Sequence, residues 1–137
     1  EDCMHKSKAV FPAFELIDDR NADYSKVDLI SQTADNSWNA NTVLGSRLEN
    51  FTNFDFSKNE VCKTINGQTE KSITGKALEN PFNAVVWIAE FLKNRGLELK
   101  EGQIIMTGST FSTYFPENGD IIEYEVCNVG SVKIKIN

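Results

Sequence analysis

Residues 75–109, GKALENPFNAVVWIAEFLKNRGLELKEGQIIMTGS, decide how the rest of the chain is read. Asn80 suits a helix N-cap and Pro81 the first helical position, where a missing N–H costs no hydrogen bond. Phe82, Val85, Val86, Ala89 and Leu92 recur at helical spacing and predict a single inward stripe, with Gly96 as the stop signal. Gly102 leads into Ile104-Ile105-Met106, an apolar run too short for a helix, which predicts a strand covered on both faces. Thr107-Gly108-Ser109 closes that run with two hydroxyls and flexible backbone N–H groups, and ligands are often held on such loops.

Working outward, Ala9 to Ile17 is apolar apart from Glu15, and Pro12 confines its first half to a turn or an edge. On a strand Glu15 points away from Phe14 and Leu16. Asp18, Asp19, Arg20 and Asp23 follow. They read either as a solvated acidic turn or as part of an oxygen-ligand site for a hard cation, which needs carboxylates from more than one segment. Residues 1–8 read as a helix end or linker. Residues 28–45, DLISQTADNSWNANTVLG, predict a long polar loop ending in a short strand at Thr42–Leu44. Phe51 to Ile65 alternates loosely as in a partly exposed sheet. Asn66-Gly67 predicts a hairpin joining strands around 61–65 and 69–73. Ile121–Val126 and Val129–Ile136 alternate as half-buried strands. The fold class is α+β: mostly antiparallel strands rolled around a core, with one principal helix packed on the sheet.

With 137 residues the chain is read as a single domain, and its 40% hydrophobic and 25% charged content is that of a globular protein. A net charge of −6 argues against nucleic acid or an anionic membrane surface as partner. No apolar run reaches transmembrane length and no signal peptide is evident. Cys3, Cys62 and Cys127 lack metal-ligand or disulfide-framework spacing, so reduced thiols and a cytoplasmic location are expected. The Asn50-Phe51-Thr52 sequon stands without other marks of secretion. His5, the single histidine, leaves little for a histidine triad or a His-rich zinc site, and no phosphate-binding glycine motif occurs. Trp87 reads as packing rather than as a ligand platform.

ENPFNAVVWIAEFLKNRGLELKEGQIIMTGS, with FPENGD and NVGSVKIKI after it, resembles the C-terminal half of the 2-keto-4-pentenoate hydratase and 4-oxalocrotonate decarboxylase family, within the fumarylacetoacetase superfamily. FELIDDR, TADNSWNANTVLG and INGQ agree in order and spacing, so the resemblance runs from about Ala9 to the C-terminus. It departs at Glu79, where the family usually has Gly. The resemblance implies a fumarylacetoacetase-like mixed β-roll or sandwich. It also implies a magnesium or manganese ion held by three carboxylates and chelated by a small 2-oxo acid, with the metal stabilising an enolate. Glu15 matches one metal-ligating carboxylate. Asp18 and Arg20 match the rest of that segment, where they orient the ligand or substrate. Asp35, Asn36 and Ser37 match a loop beside the site, and Thr107, Gly108 and Ser109 the loop holding the substrate carboxylate.

The family's other two ligands, a Glu-x-Glu pair, and a lysine lie upstream of anything in this sequence. Glu1-Asp2 is no substitute, because adjacent residues on a strand point oppositely. The expectation is therefore the C-terminal portion of such an enzyme, acting as a homo-oligomer or with the missing N-terminal portion. Whether it is a proteolytic product, a diverged short protein or one of two chains stays open. So does the function: a hydratase in aromatic catabolism, a decarboxylase of the same family, or a noncatalytic binding or assembly domain.

Overall fold

Alternation and turn chemistry lay down the main sheet. In the computed structural model, which describes residues 2–137, β3 (Glu60–Ile65) and β4 (Gln68–Ile73) form a hairpin. Asn66 (φ 49°) and Gly67 (φ 85°) take the left-handed conformations of a type I′ loop, which these two residue types adopt at least cost. β3 also pairs with β5 (Ile121–Val126), and β5 with β6 (Gly130–Lys135), all antiparallel, in the order β4-β3-β5-β6. Lys63 stands opposite Glu70 at 3.1 Å and Lys133 opposite Glu123 at 3.5 Å, pairs that favour this register but add little stability.

The core lies on one face of this sheet. Val61 pairs with Val126 and is 0% exposed. Phe51, at 1% exposure, and Phe56 come down onto them, with ring centroids 6.1 Å apart. The loose strand expected over 51–65 begins only at Glu60; residues 51–58 run through turns, which lets both phenylalanines point inward.

β1 (Ala13–Ile17) and β2 (Asn39–Leu44) make a separate antiparallel ribbon. Leu16 opposes Asn41 and Ile17 opposes Asn39, so Ala40 is an extra residue, a β-bulge that re-aims its neighbours. The ribbon meets the main sheet where Ser46 N donates to Ser131 O at 3.0 Å. A Cβ at Gly45 would lie 2.2 Å from that same oxygen, so only glycine permits the approach. The N-terminal residues form a short helix, α1 (Asp2–Lys6). The stretch expected to be all loop contains α2 (Leu29–Ala34), which starts because Asp28 Oδ1 accepts from Ser31 N at 2.7 Å.

The principal helix, α3 (Phe82–Lys93), begins as its capping residues dictate. Asn80 Oδ1 accepts from Phe82 N at 3.0 Å, and Pro81 already has helical dihedrals. It ends in a Schellman arrangement: Leu97 N bonds Leu92 O, Gly96 N bonds Lys93 O, both at 3.0 Å, and Gly96 has φ 70°. Glu79 has φ 61° inside a tight turn from Leu78 O to Asn80 N (2.6 Å), a strained geometry that glycine would adopt freely.

Two expectations fail around α3. The inward stripe contains Phe82, Val85, Ile88, Ala89 and Leu92, all half-buried, but Val86 is 37% exposed on the flank, and no residue of the helix is fully buried. Only the Phe82 end is seated in the core, its ring 6.0 Å from Phe51 and 5.6 Å from Phe56. Ile104-Ile105-Met106 forms no strand: Ile104 is 59% exposed, and residues 104–108 make no backbone–backbone hydrogen bond among the described residues. An apolar run states what its side chains favour, but a strand also needs a neighbour to complete its ladder, and neither sheet edge reaches it here.

Candidate functional site

Six of the site residues anticipated from the sequence, Glu15, Asp18, Arg20, Asp35, Asn36 and Ser37, lie on the β1–β2 ribbon or in the loops beside it. Glu15 is exposed in the middle of β1, between the half-buried Phe14 and Leu16, as strand alternation requires. Its Oε1 accepts from Asn39 Nδ2 at 2.9 Å, and among the described residues no donor reaches Oε2. Asn39 opens β2 beside the bulge. It follows three successive left-handed residues, Asn36 (φ 50°), Ser37 (φ 50°) and Trp38 (φ 63°). Asn tolerates that conformation, but Ser and Trp do so at a cost, and such strain collects where a loop must hold a side chain in place.

Two ties lock this loop to the turn after β1. Arg20 Nη1 reaches Asp35 Oδ2 at 2.7 Å, while the Arg20 backbone N–H donates to Asp18 Oδ1 at 2.9 Å. Tyr24 donates its hydroxyl to Asp19 Oδ2 at 2.5 Å and meets Trp38 edge-on, centroids 5.4 Å apart. The Tyr24 hydroxyl, and then the Asn21 amide, hold Asp19 below the usual carboxylate range, and the same bond raises the Tyr24 phenol. Asp18, Arg20 and Asp35 are thus joined directly, and Asn36 and Ser37 shape the loop without a side-chain hydrogen bond of their own among the described residues.

Thr107, Gly108 and Ser109 lie elsewhere, along a groove of about 1120 Å³ between α3, the 99–108 segment and the β1–β2 ribbon. Thr107 and Gly108 line it, and Gly108 has φ 91°. Ser109 is turned into its own loop, donating to Phe111 O at 2.6 Å. Tyr124 reaches the groove from β5; burial pushes its phenol up, partly opposed by a 3.3 Å bond from Thr110. Ala13 and Leu44, paired across the ribbon, line the same groove. Glu15 shares Ala13's face two residues along, about 7 Å on. No hydrogen bond or ion pair among the described residues joins the Asp18–Arg20–Asp35 cluster to Thr107–Ser109.

Among the described residues, no three of His, Cys, Asp and Glu stand close enough together to hold a metal ion. Glu1 lies outside the described residues, as does the side chain of Asp2. One exposed carboxylate has the right chemistry for a hard dication, but alone it does not make a site. Asn39 and the left-handed turn before it escaped the sequence reading; Asn in a polar loop signals tolerance of such turns, not which side chain will reach a carboxylate.

No protein-family model matches the chain. It is 32% identical over 125 residues to 2-keto-4-pentenoate hydratase of Paraburkholderia xenovorans (strain LB400), covering 90% of this chain and 46% of that protein. It is 32% identical over 127 residues to a 4-oxalocrotonate decarboxylase of Pseudomonas putida, covering 92% of this chain and 48% of that one. The solved 4-oxalocrotonate decarboxylase of Pseudomonas putida G7, complexed with magnesium and adipate, superposes with a TM-score of 0.83 at 28% identity, over 95% of this chain and 49% of that one. Over the portion matched, the chain is similar to members of the 2-keto-4-pentenoate hydratase and 4-oxalocrotonate decarboxylase family. The chain spans about half the length of the relatives it matches. The hydratase–decarboxylase fold is α+β with mostly antiparallel strands and one main helix, as the sequence predicted. No helix among the described residues is long and apolar enough to cross a membrane.

Proposed function

We propose that this chain supplies the C-terminal part of a fumarylacetoacetase-like catalytic domain that hydrates a 2-oxo-enoate or 2-hydroxydienoate, such as 2-keto-4-pentenoate, in the catabolism of aromatic compounds. The observation that supports this reading is the geometry around Glu15: a carboxylate steadied by Asn39, two residues along β1 from the groove-lining Ala13, in a chain similar to an enzyme complexed with magnesium and a dicarboxylate. Glu15 would contribute one oxygen ligand to a magnesium or manganese ion, with the remaining carboxylates coming from outside this chain. The bound cation supplies Lewis-acid polarisation of a chelated substrate oxygen.

The chain's own residues do the rest by position. Asn39 fixes the rotamer of Glu15 and leaves its other oxygen for the metal. The Arg20–Asp35 pair and the Asp18 turn hold the two loops beside it in one arrangement. The Thr107 hydroxyl and the Gly108 N–H, on the groove wall, receive a carboxylate of the substrate. Three free cysteines fit a reducing cytoplasm.

Decarboxylation of a related 2-oxo acid is the second reading, favoured by the similarity to 4-oxalocrotonate decarboxylases in both sequence and structure. A noncatalytic binding or assembly role is favoured instead by the incomplete donor set among the described residues. Calorimetry with magnesium and 2-oxopentanoate, beside an activity assay, tests the proposal. The chain alone is expected to bind magnesium weakly and turn over negligibly. Tight stoichiometric binding by the chain alone contradicts it, because other carboxylates would then complete a site in a different place.

A further inference from the structure

Residues 97–120 contain neither helix nor strand, and a connection that long in a folded domain is more often functional than idle. Among the described residues, 104–116 make no backbone–backbone hydrogen bond, so the loop carrying Thr107, Gly108 and Ser109 is held in place by side chains. Its anchors converge on two residues of the main sheet. Lys63 on β3 and Tyr124 on β5 are direct cross-strand partners and therefore stand side by side on one face. The Phe111 ring packs against both. Its centroid is 5.1 Å from Lys63 Nζ and 6.2 Å from the Tyr124 ring, which it meets edge-on at 86°. One residue earlier, Thr110 Oγ1 is 3.3 Å from the Tyr124 hydroxyl. The Lys63 side chain is only 14% exposed, and Glu70 Oε2 steers its ammonium from 3.1 Å. The cation is therefore partly dehydrated where it meets the ring, the condition in which such a contact is strongest.

Tyr124 also faces the other half of the candidate site. Its ring centroid is 6.4 Å from that of Phe14, the residue of β1 that precedes Glu15. Ring packing through Tyr124 thus ties together two segments that no hydrogen bond or ion pair among the described residues joins. We propose that Lys63, Phe111 and Tyr124 are positioning residues: they fix the 107–109 loop relative to Glu15, and so set how a small 2-oxo acid, held by its carboxylate at Thr107 and Gly108, is oriented toward β1. The orienting role rests on the reading of Thr107 and Gly108 as the seat of that carboxylate; the clamp on the loop does not. Lys63 acts through Phe111 and touches no substrate. Its charge is what the clamp requires, because a neutral side chain of the same length fills the space but loses the attraction for the ring face.

The test is NMR on the full chain, without magnesium, with Lys63→Met, which keeps the length and removes the charge, and Lys63→Arg, which keeps the cation. Backbone order parameters at 107–111 should drop from about 0.85 in the parent to below about 0.6 in Lys63→Met. They should stay near the parent value in Lys63→Arg, and those of the β3–β4 hairpin should not move in either variant. Titration with 2-oxopentanoate, followed at the Thr107 and Gly108 amides, should weaken roughly fivefold in Lys63→Met and not in Lys63→Arg. Phe111→Leu should loosen the same loop, and adding Lys63→Met to it should loosen it no further, because both act through one contact. A lowered melting temperature in Lys63→Met with an ordered 107–111 loop would make Lys63 a brace of the hairpin and overturn the proposal. So would a loss of order that Lys63→Arg fails to restore, or losses that add in the double variant. A parent chain whose Thr107 and Gly108 amides ignore 2-oxopentanoate counts against the carboxylate reading instead, and the order parameters then decide the clamp.

Discussion

Arg20 Nη1 stands 2.7 Å from Asp35 Oδ2, so one guanidinium fastens the turn after β1 to the loop before β2. Both side chains are more than a third exposed, at 46% and 41%, so the pair contributes about 0–1 kcal/mol to stability. On the proposed reading it serves to hold Asn39, and through it Glu15. Arg20→Gln is expected to shift the melting temperature little while reducing turnover of the assembled enzyme. A loss of folding equal to the loss of turnover would make the pair a structural brace only.

The seat of the core is Phe51 and Val61, not the outer flank of α3. Phe51→Ala should destabilise by about 3–5 kcal/mol through lost burial and a residual cavity. Val86→Asp, at a position 37% exposed, should cost less than about 1 kcal/mol, because its charge stays in water. Chemical denaturation of the two variants checks the order, and a larger effect at Val86 would put the helix flank inside the core.

Asp120, only 8% exposed, is the acid-sensitive joint of the main sheet. It accepts from Glu117 N at 2.8 Å, from the Tyr114 hydroxyl at 2.7 Å and from Asn66 Nδ2 at 2.7 Å, and these bonds hold its carboxyl below the usual range. A folded-state pKa below the unfolded one contributes stability that is present above the unfolded value and lost as pH falls through the folded value. Asp120→Asn should therefore be less stable than the parent at pH 7, with the gap narrowing below about pH 4, the range of an unperturbed Asp. Thermal melts across pH 2–7 read this directly; a gap that widens on acidification would contradict it.

Where local chemistry is self-sufficient, the sequence was legible. Asn66-Gly67 specifies its hairpin, Asn80-Pro81 and Gly96 bound α3, and alternation marks β5 and β6. The Ile104–Met106 run misleads because a strand is a relation between two segments, and its hydrophobic pattern records only one of them. Val86 was misassigned because helical spacing gives a stripe without saying how wide a face the neighbours cover. At the candidate site, Glu15, Asp18, Arg20 and Asp35 were proposed through a family pattern, and three of the four are joined by hydrogen bonds here. Asn39 was not found, since its reach to Glu15 depends on a bulge and three left-handed residues that no local preference predicts.

The central claim is that Glu15 is the metal-binding carboxylate of this chain and that Asp18 acts by position. It is tested most directly by magnesium affinity, measured calorimetrically on Glu15→Gln and Asp18→Asn in an active assembly containing this chain. Glu15→Gln keeps the size of the side chain but removes its charge, and an amide oxygen is a poorer ligand for a hard dication, so magnesium binding should collapse. Asp18→Asn should retain the metal and lose about 10–100-fold in affinity or activity. Asp18→Asn abolishing magnesium binding while Glu15→Gln leaves it intact would reverse the assignment and contradict the account.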